Sequence, residues 1–202
     1  ASAPNPQAVK YEQGVVASEL NYRSPFWAGI VGFDASGYGV RKLIEGGRPT
    51  AQVLEPNNHG QLQDGFLTLG QAFLKLKLGE MGLVKVGRQT HDSLLLKSTN
   101  TRAVPDTFSG ANVAISPVAG LRIQAAVYDQ WKSRTTGEFE KFRTEAAANN
   151  AIDYVSILGA TYASGPLSVN AEVLNSKSYL TKTGLVVAYG IPIQATELKL
   201  SS

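Results

Sequence analysis

Apolar and polar residues alternate one for one along much of the chain. Ala72, Leu74, Leu76 and Leu78 share one parity; Gln71, Lys75 and Lys77 share the other, with Phe73 as the exception. A period of two is that of a strand, because successive side chains leave opposite faces of a sheet. Wound as a helix, the same leucines would scatter around the cylinder and leave no apolar stripe. Gly79-Glu80-Met81-Gly82 reads as a tight turn. Leu83 to Gln89 then resumes the extended pattern, with Val84 and Val86 opposite Lys85. Together these segments predict a hairpin.

The signal recurs on both sides. Upstream, Val16, Leu20 and Tyr22 oppose Val15, Ala17 and Glu19. Trp27, Gly29, Val31, Phe33 and Ala35 oppose Ala28, Gly32, Asp34 and Ser36, a pattern that Ile30 spoils in part. Downstream, Ser109, Ala111, Val113 and Ile115 alternate with Gly110, Asn112, Ala114 and Ser116. Leu121, Ile123, Ala125 and Val127 oppose Arg122, Gln124 and Tyr128. Ile152, Tyr154, Leu158 and Tyr162 share a parity that Val155 and Ile157 blur. Leu167, Val169, Ala171 and Val173 oppose Ser168, Asn170 and Glu172; Tyr179 to Tyr189 is extended, and Ile193 opens a last partial strand. The expectation is an all-β chain of about ten antiparallel strands.

The connections differ in kind. Short turns are expected at 79–82, 117–120, 163–166 and 190–192, and long connections at 45–65, 89–107 and 132–150. Within the last, EFEKFRTEAAA has the composition of a helical turn or two. Short turns on one rim and long loops on the other are the layout of an up-and-down transmembrane β-barrel. Several runs reach about 9–11 residues, the length of a tilted membrane strand, against ~5–6 for a soluble one. Tyr22, Trp27, Tyr128, Trp131, Tyr154, Tyr162, Tyr179 and Tyr189 lie near strand ends, where interfacial aromatic girdles form. A soluble antiparallel sandwich or barrel also alternates, so a soluble β-rich binding or adhesion domain stays open on pattern alone.

Composition narrows the classes. The chain has 202 residues, enough for one domain, and no apolar run of the ~20 residues that a spanning helix needs. Its 43% hydrophobic content leaves a barrel possible, since a barrel hides its lipid-facing residues in alternation. There is no cysteine, which removes disulfides and thiolate chemistry. The net charge of +3 is small and the basic residues are dispersed, so nucleic acid is not expected as a partner. The opening ASAPNP reads as a processed or trimmed terminus.

Catalytic signals are poor. His59 and His91 lie in polar loop sequence, and neither has a second histidine at metal-ligand spacing. No nucleophile motif or phosphate loop is present, so neither an enzyme nor a metal or cofactor is expected. The cations are more informative. Lys75, Lys77, Lys85 and Arg122 fall on the polar parity of well-patterned strands. In a soluble fold that parity is a solvated face. In a barrel it faces the lumen, where cations on a narrow low-dielectric wall attract anions. Asp34 and Glu172 share that face and break the positive lining locally.

One stretch does not alternate: GRQTHDSLLLKSTNTRAVPDTFSG, from Gly87 to Gly110. It carries Arg88, Lys97 and Arg102. Arg88 shares parity with Val84 and Val86, so alternation points it outward; an inward role requires the strand to end or bulge there. Lys97 and Arg102 sit mid-loop, where solubility is the plain role. Arg102 has the better functional claim, because a guanidinium grips a carboxylate in a directional, bidentate way.

This stretch resembles the OprD-like porins, the outer-membrane carboxylate channels of Gram-negative bacteria. The likeness rests on GRQ at 87–89, the loop length, and the R-x-x-P-x-T-F-x-G run at Arg102, Pro105, Thr107, Phe108 and Gly110. Upstream, QGVVASELNYRSPFWAGIVGFDASGYG is similar to the family's long strand and its Gly- and aromatic-rich partner. The resemblance implies part of a single transmembrane barrel of the family's 18 strands, with 89–107 folded inward as a constriction loop. It implies passive diffusion of small carboxylate solutes, contact with outer-membrane lipid and lipopolysaccharide, and a monomer or homotrimer. It identifies Arg102 as the motif arginine of the constriction loop and Arg88 as that of GRQ. The chain is roughly half the family's length, so a portion of a larger barrel is expected.

A simple partition separates barrel from soluble domain. The full-length protein is expected in the detergent phase after phase separation; recovery as an aqueous monomer without detergent contradicts the barrel.

Overall fold

A computed structural model of the chain describes residues 12–46, 53–56, 59, 61–144 and 150–191. The strands are β1 (Glu12–Arg23), β2 (Val31–Gly46), β3 (Gly65–Lys77), β4 (Gly82–Gln89), β5 (Thr107–Val118) and β6 (Leu121–Lys132). They continue as β7 (Glu140–Arg143), β8 (Ala151–Ile152), β9 (Val155–Ser164), β10 (Leu167–Ser176) and β11 (Leu180–Tyr189). The main sheet runs β1-β2-β3-β4-β5-β6-β9-β10-β11, antiparallel throughout, with β1 and β11 at its edges. The short pair β7 and β8 branches from β6.

Register makes the two faces of this wall unlike. One rung runs Val31–Leu76–Val84–Val113–Ala125–Leu158–Val173–Thr183, apolar until its last member. The next runs Gly32–Lys75–Lys85–Asn112–Ala126–Ile157–Leu174–Lys182 on the opposite face. The first face is bare: Leu67 is 87% exposed and Leu158 61%. A continuous exposed apolar face of this kind belongs against lipid rather than water. Loops cover the second face, which holds the buried residues.

β3 shows how the pattern survives an irregularity. A bulge opposite Ser36/Gly37 inserts Gly70, and the apolar parity switches from Leu67 and Leu69 to Ala72, Leu74 and Leu76. The outward set therefore stays outward across the bulge. Tyr22, Trp27, Tyr154, Tyr162, Tyr179 and Tyr189 are exposed near strand ends, as girdle residues should be.

Three expectations need correction. The extended run expected from Trp27 begins only at Val31, because Ala28 and Gly29 take left-handed conformations in a tight turn closed by Trp27 N–H to Val31 O at 2.7 Å. The helical turn expected near EFEKFRTEAAA is strand β7 over Glu140–Arg143, where Phe142 stacks on Phe108 at 6.2 Å; burying that ring outweighs local helix propensity. Tyr128 is no girdle residue, since it is fully buried on the covered face. The strand expected from Ile193, and parts of the 45–65 and 132–150 loops, lie outside the described residues. The long-loop rim also holds one short connection, at 177–179 between β10 and β11.

The face assignment predicts an asymmetry. Leu158→Arg, mid-strand on the bare face, destabilises the full-length barrel by about 2–4 kcal/mol. Ala114→Arg, on the covered face, leaves stability near wild type. Urea titration in phosphocholine vesicles measures both, and equal costs contradict the assignment.

Candidate functional site

The segment between β4 and β5 does not project from the rim. It folds back across the covered face as a tongue, residues 91–98. Two hydrogen bonds close its base: Ser98 N–H to His91 O at 2.7 Å and His91 N–H to Ser98 Oγ at 3.0 Å. Its tip is a tight turn in which Ser93 N–H donates to Leu96 O at 2.9 Å. Lys97 and Asp92 pair across it at 3.1 Å, both exposed.

The wall receives the tongue with apolar and polar contacts together. Leu95 and Leu96 pack against a buried cluster of Phe108, Ala126, Tyr128, Val155, Ile157 and Leu174. This explains why Val155 and Ile157 blur their strand's alternation: the lumen-side parity is apolar where the loop lies on it. Under the base of the tongue, Tyr128 Oη lies 2.8 Å from His91 Nδ1, and Asn112 Nδ2 donates to Tyr128 Oη at 3.3 Å. Asn112 and His91 thus both bond the Tyr128 hydroxyl, and the direction of the His91 bond follows the imidazole tautomer. Phe108 lies 5.4 Å from the Tyr128 ring. Gly110 (φ +155°) clears the space, since a Cβ there would meet Tyr128 Cδ1 at 2.9 Å. His91 is thus a buried pivot, not the exposed loop residue that its polar neighbourhood suggests.

A second loop, 133–139, pins the first. Lys132, fully buried at the end of β6, donates to Pro105 O (3.2 Å), Ser133 O (2.8 Å) and Thr136 O (3.4 Å). Asp106 accepts from Arg134 N–H at 2.9 Å and from Thr99 Oγ1 at 2.8 Å. Val104 joins Tyr38, Val40, Leu54 and Leu62 in a second buried cluster, so the β2–β3 connection also folds inward. In the R-x-x-P-x-T-F-x-G run, Pro105, Thr107, Phe108 and Gly110 therefore build the loop's foundation. Arg102 alone stands exposed, its Nη1 donating to Thr101 O at 3.3 Å.

Between tongue and wall lies a groove of about 840 Å³. Lys77, Lys85, Arg122, Asn112, Gln124 and His91 line it. Lys75 and Lys85 are direct cross-strand neighbours, a like-charge pair that is unfavourable alone. Two contacts relieve it. Lys75 is buried against Asp34 at 2.5 Å and also donates to Ser24 O at 2.8 Å. Lys85 Nζ sits 5.1 Å above the Phe73 ring, which accounts for that exception to the polar parity. Lys75 and Lys77 Nζ share the Phe26 ring, each at 4.9 Å. Among the described residues Lys77, Lys85 and Arg122 form no ion pair, and they are the cations left to the groove.

Arg88 is placed elsewhere. The β3–β4 and β4–β5 registers run through it without a shift, so it keeps the outward parity of Val84 and Val86. Its guanidinium stacks on Phe139 at 4.3 Å and donates to Leu69 O at 3.3 Å. Sequence reasoning passed over His91, Tyr128, Lys132 and Arg134 as working parts of the site. The inward fold of 89–107 was expected, but where it seats on the wall was hinted at only by the odd burial-type residues Val155 and Ile157.

Burial pushes the His91 imidazole below its ordinary 6.5; Glu172 and Asp92 oppose this weakly and Lys85 adds to it. The unfolded chain therefore takes up the proton first as pH falls. The stability involved is fully present above the ordinary value and is lost as pH falls through the depressed one. Limited proteolysis of the tongue in the full-length protein should accelerate below about pH 6.5. His91→Gln, whose amide can bond the Tyr128 hydroxyl in either direction but has no proton to gain, should flatten that profile; an unchanged profile removes His91 from the pivot.

Residues 2–177 match the family described as outer membrane porin, OprD family. The porin-like protein GalP of Pseudomonas putida is 25% identical over 158 residues, covering 76% of this chain and 38% of that protein. OpdK of Pseudomonas aeruginosa, solved with vanillate, superposes with a TM-score of 0.81 at 21% identity, covering 89% of this chain and 47% of that one. OccAB1 of Acinetobacter baumannii gives a TM-score of 0.81 at 22% identity, covering 94% and 45%. The chain thus spans about half the length of the solved porins it matches, or less. An antiparallel wall with one apolar face, a tongue folded across the other and a family match over most of its length place this chain in the OprD family of outer membrane porins.

Proposed function

We propose that the full-length protein is a passive channel of the Gram-negative outer membrane for small carboxylate-bearing anions. In this reading the described strands are part of one barrel wall and residues 89–107 form the constriction loop. The observation that carries it is the cluster of Lys77, Lys85 and Arg122, without ion-pair partners among the described residues, on the wall facing the tongue. A groove bounded by low-dielectric wall focuses their field, and a carboxylate entering it trades water for ammonium and guanidinium donors. Several moderate sites in series let the solute leave again, which passive conduction requires. Vanillate, bound in the OpdK structure, is itself a carboxylate.

The candidate cations take different parts. Lys85 and Arg122 act directly from the wall, with Lys77 beside them. Lys75, held by Asp34, contributes mainly by fixing the Phe26 shelf. Arg102 and Lys97 sit on the loop, where Arg102 is free to meet a solute at the mouth. Arg88 supports the rim through Phe139. Outer-membrane lipid and lipopolysaccharide are the surroundings of the bare face, and assembly as a monomer or a homotrimer fits this reading equally.

Planar-bilayer recording of the full-length protein tests the assignment. Lys85→Ala should lower the anion-over-cation permeability ratio by about fivefold at low salt, equivalent to ~1 kcal/mol for one unit charge at 4 Å in water. Arg122→Ala and Arg102→Ala should act in the same direction. The effect should vanish near 1 M salt, where the screening length is ~3 Å. Wild-type selectivity in all three variants sinks the role given to these cations.

A further inference from the structure

Among the described residues Glu172 is the one acid on this face that neither pairs with a cation nor meets solvent. It stands mid-strand in β10, 3% exposed, and forms no ion pair among the described residues. A buried carboxylate without a counter-charge is costly unless donors satisfy it. Here the donors come from the tongue. Oε1 accepts from Ser93 Oγ at 2.8 Å and from Leu95 N–H at 2.9 Å, and Oε2 accepts from Leu94 N–H at 3.1 Å. Gln124 Nε2 adds a longer bond at 3.4 Å from the wall side. Bonds from backbone amides to an ionised carboxylate are among the stronger ones a loop can make.

The wall around Glu172 is shaped for the same segment. Gly159 and Gly184 flank it in register on β9 and β11. A side chain at Gly184 would meet Leu94 Cδ2 at 2.8 Å and Leu95 Cδ2 at 3.0 Å. The vacancy left by this glycine is the seat of the two leucines. A polar wall position with no further duty would take an uncharged residue, as Ser168 and Asn170 do on the same strand face. The carboxylate at 172 is explained by the three tongue donors that converge on it.

We infer that Glu172 is a positioning residue, a latch that holds the tongue against the far wall and thereby sets the width of the opening. It never needs to touch a solute. The inference takes the tongue to be a constriction, so it rests on the channel reading for its effect on conductance, but not for its effect on the tongue itself.

These 202 residues contain no cysteine, so a single introduced thiol can report on the tongue. In the full-length protein, with any cysteine outside this chain replaced by serine, Leu95→Cys supplies a sole thiol beneath the latch. Its rate of alkylation by a membrane-impermeant maleimide reports how often the tongue lifts. Glu172→Ala in that background should raise the rate by about tenfold or more, the loss expected when hydrogen bonds to a charged group are removed. Glu172→Gln, which keeps one acceptor oxygen, should fall between. Gly184→Val, with Glu172 intact, should also raise the rate by filling the seat. Single-channel conductance of Glu172→Ala, without the cysteine, should exceed wild type. Heat-modifiable mobility in gels confirms that each variant is folded, and if Glu172→Ala does not fold, the Gln and Gly184→Val variants decide. Labelling of folded Glu172→Ala at the parent rate overturns the latch. Labelling of Glu172→Gln at the parent rate overturns the need for a carboxylate. A wild-type protein that conducts nothing overturns the channel reading instead, while the labelling rates still decide the latch.

Discussion

Cross-strand register is the constraint on which everything else in this molecule depends. Side chains alternate with a period of two, so a slip of one residue in any strand would exchange its two faces. From β2 to β11 the rungs hold, and the apolar set stays together from Val31 to Val173 while Lys75, Lys85 and Asn112 stay on the other side. Where the chain gains a residue, at Gly70, the apolar residues change parity with it. That coincidence of bulge and parity switch is the mark of a wall with one face in lipid.

The covered face obeys different rules from the bare one. A loop laid across a strand wall brings backbone amides and carbonyls that must find partners away from water. This chain provides them with side chains rather than a further strand ladder. Glu172 takes amides of the tip, Tyr128 takes His91 at the base, and Lys132 and Asp106 tie the first loop to the second. Lys132 and Glu172 are charges buried where these loops meet the wall, each surrounded by donors or acceptors from a loop. The same requirement sorts the cations into two kinds: those that hold structure, as Lys75 and Lys132 do, and those left facing the groove.

Much of the fold was legible in residues alone. The hairpin of β3 and β4 follows from its leucines and lysines, and the rim with short turns follows from Gly-containing turns such as Gly79 to Gly82. The tongue was visible as a stretch that fails to alternate, and the family likeness named its kind. Its contacts were not legible. His91 looked like an exposed loop residue, Glu172 like a stray acid, and Phe73 like an error in a pattern. Each is explained by a partner more than ten positions away in sequence: Tyr128, the Ser93–Leu95 turn and Lys85.

The division has a physical reason. Alternation is a local property of a strand, so the sequence by itself determined that this is an all-β wall with one apolar face, and that cations lie on the other. Whether a given cation acts on a solute depends on what else shares its rung and what lies above it, which only the folded chain decides. Lys75 and Lys85 are indistinguishable in the pattern. The tertiary structure separates them: each lies over an aromatic ring, but Asp34 pairs with Lys75, while Lys85 has no ion-pair partner among the described residues.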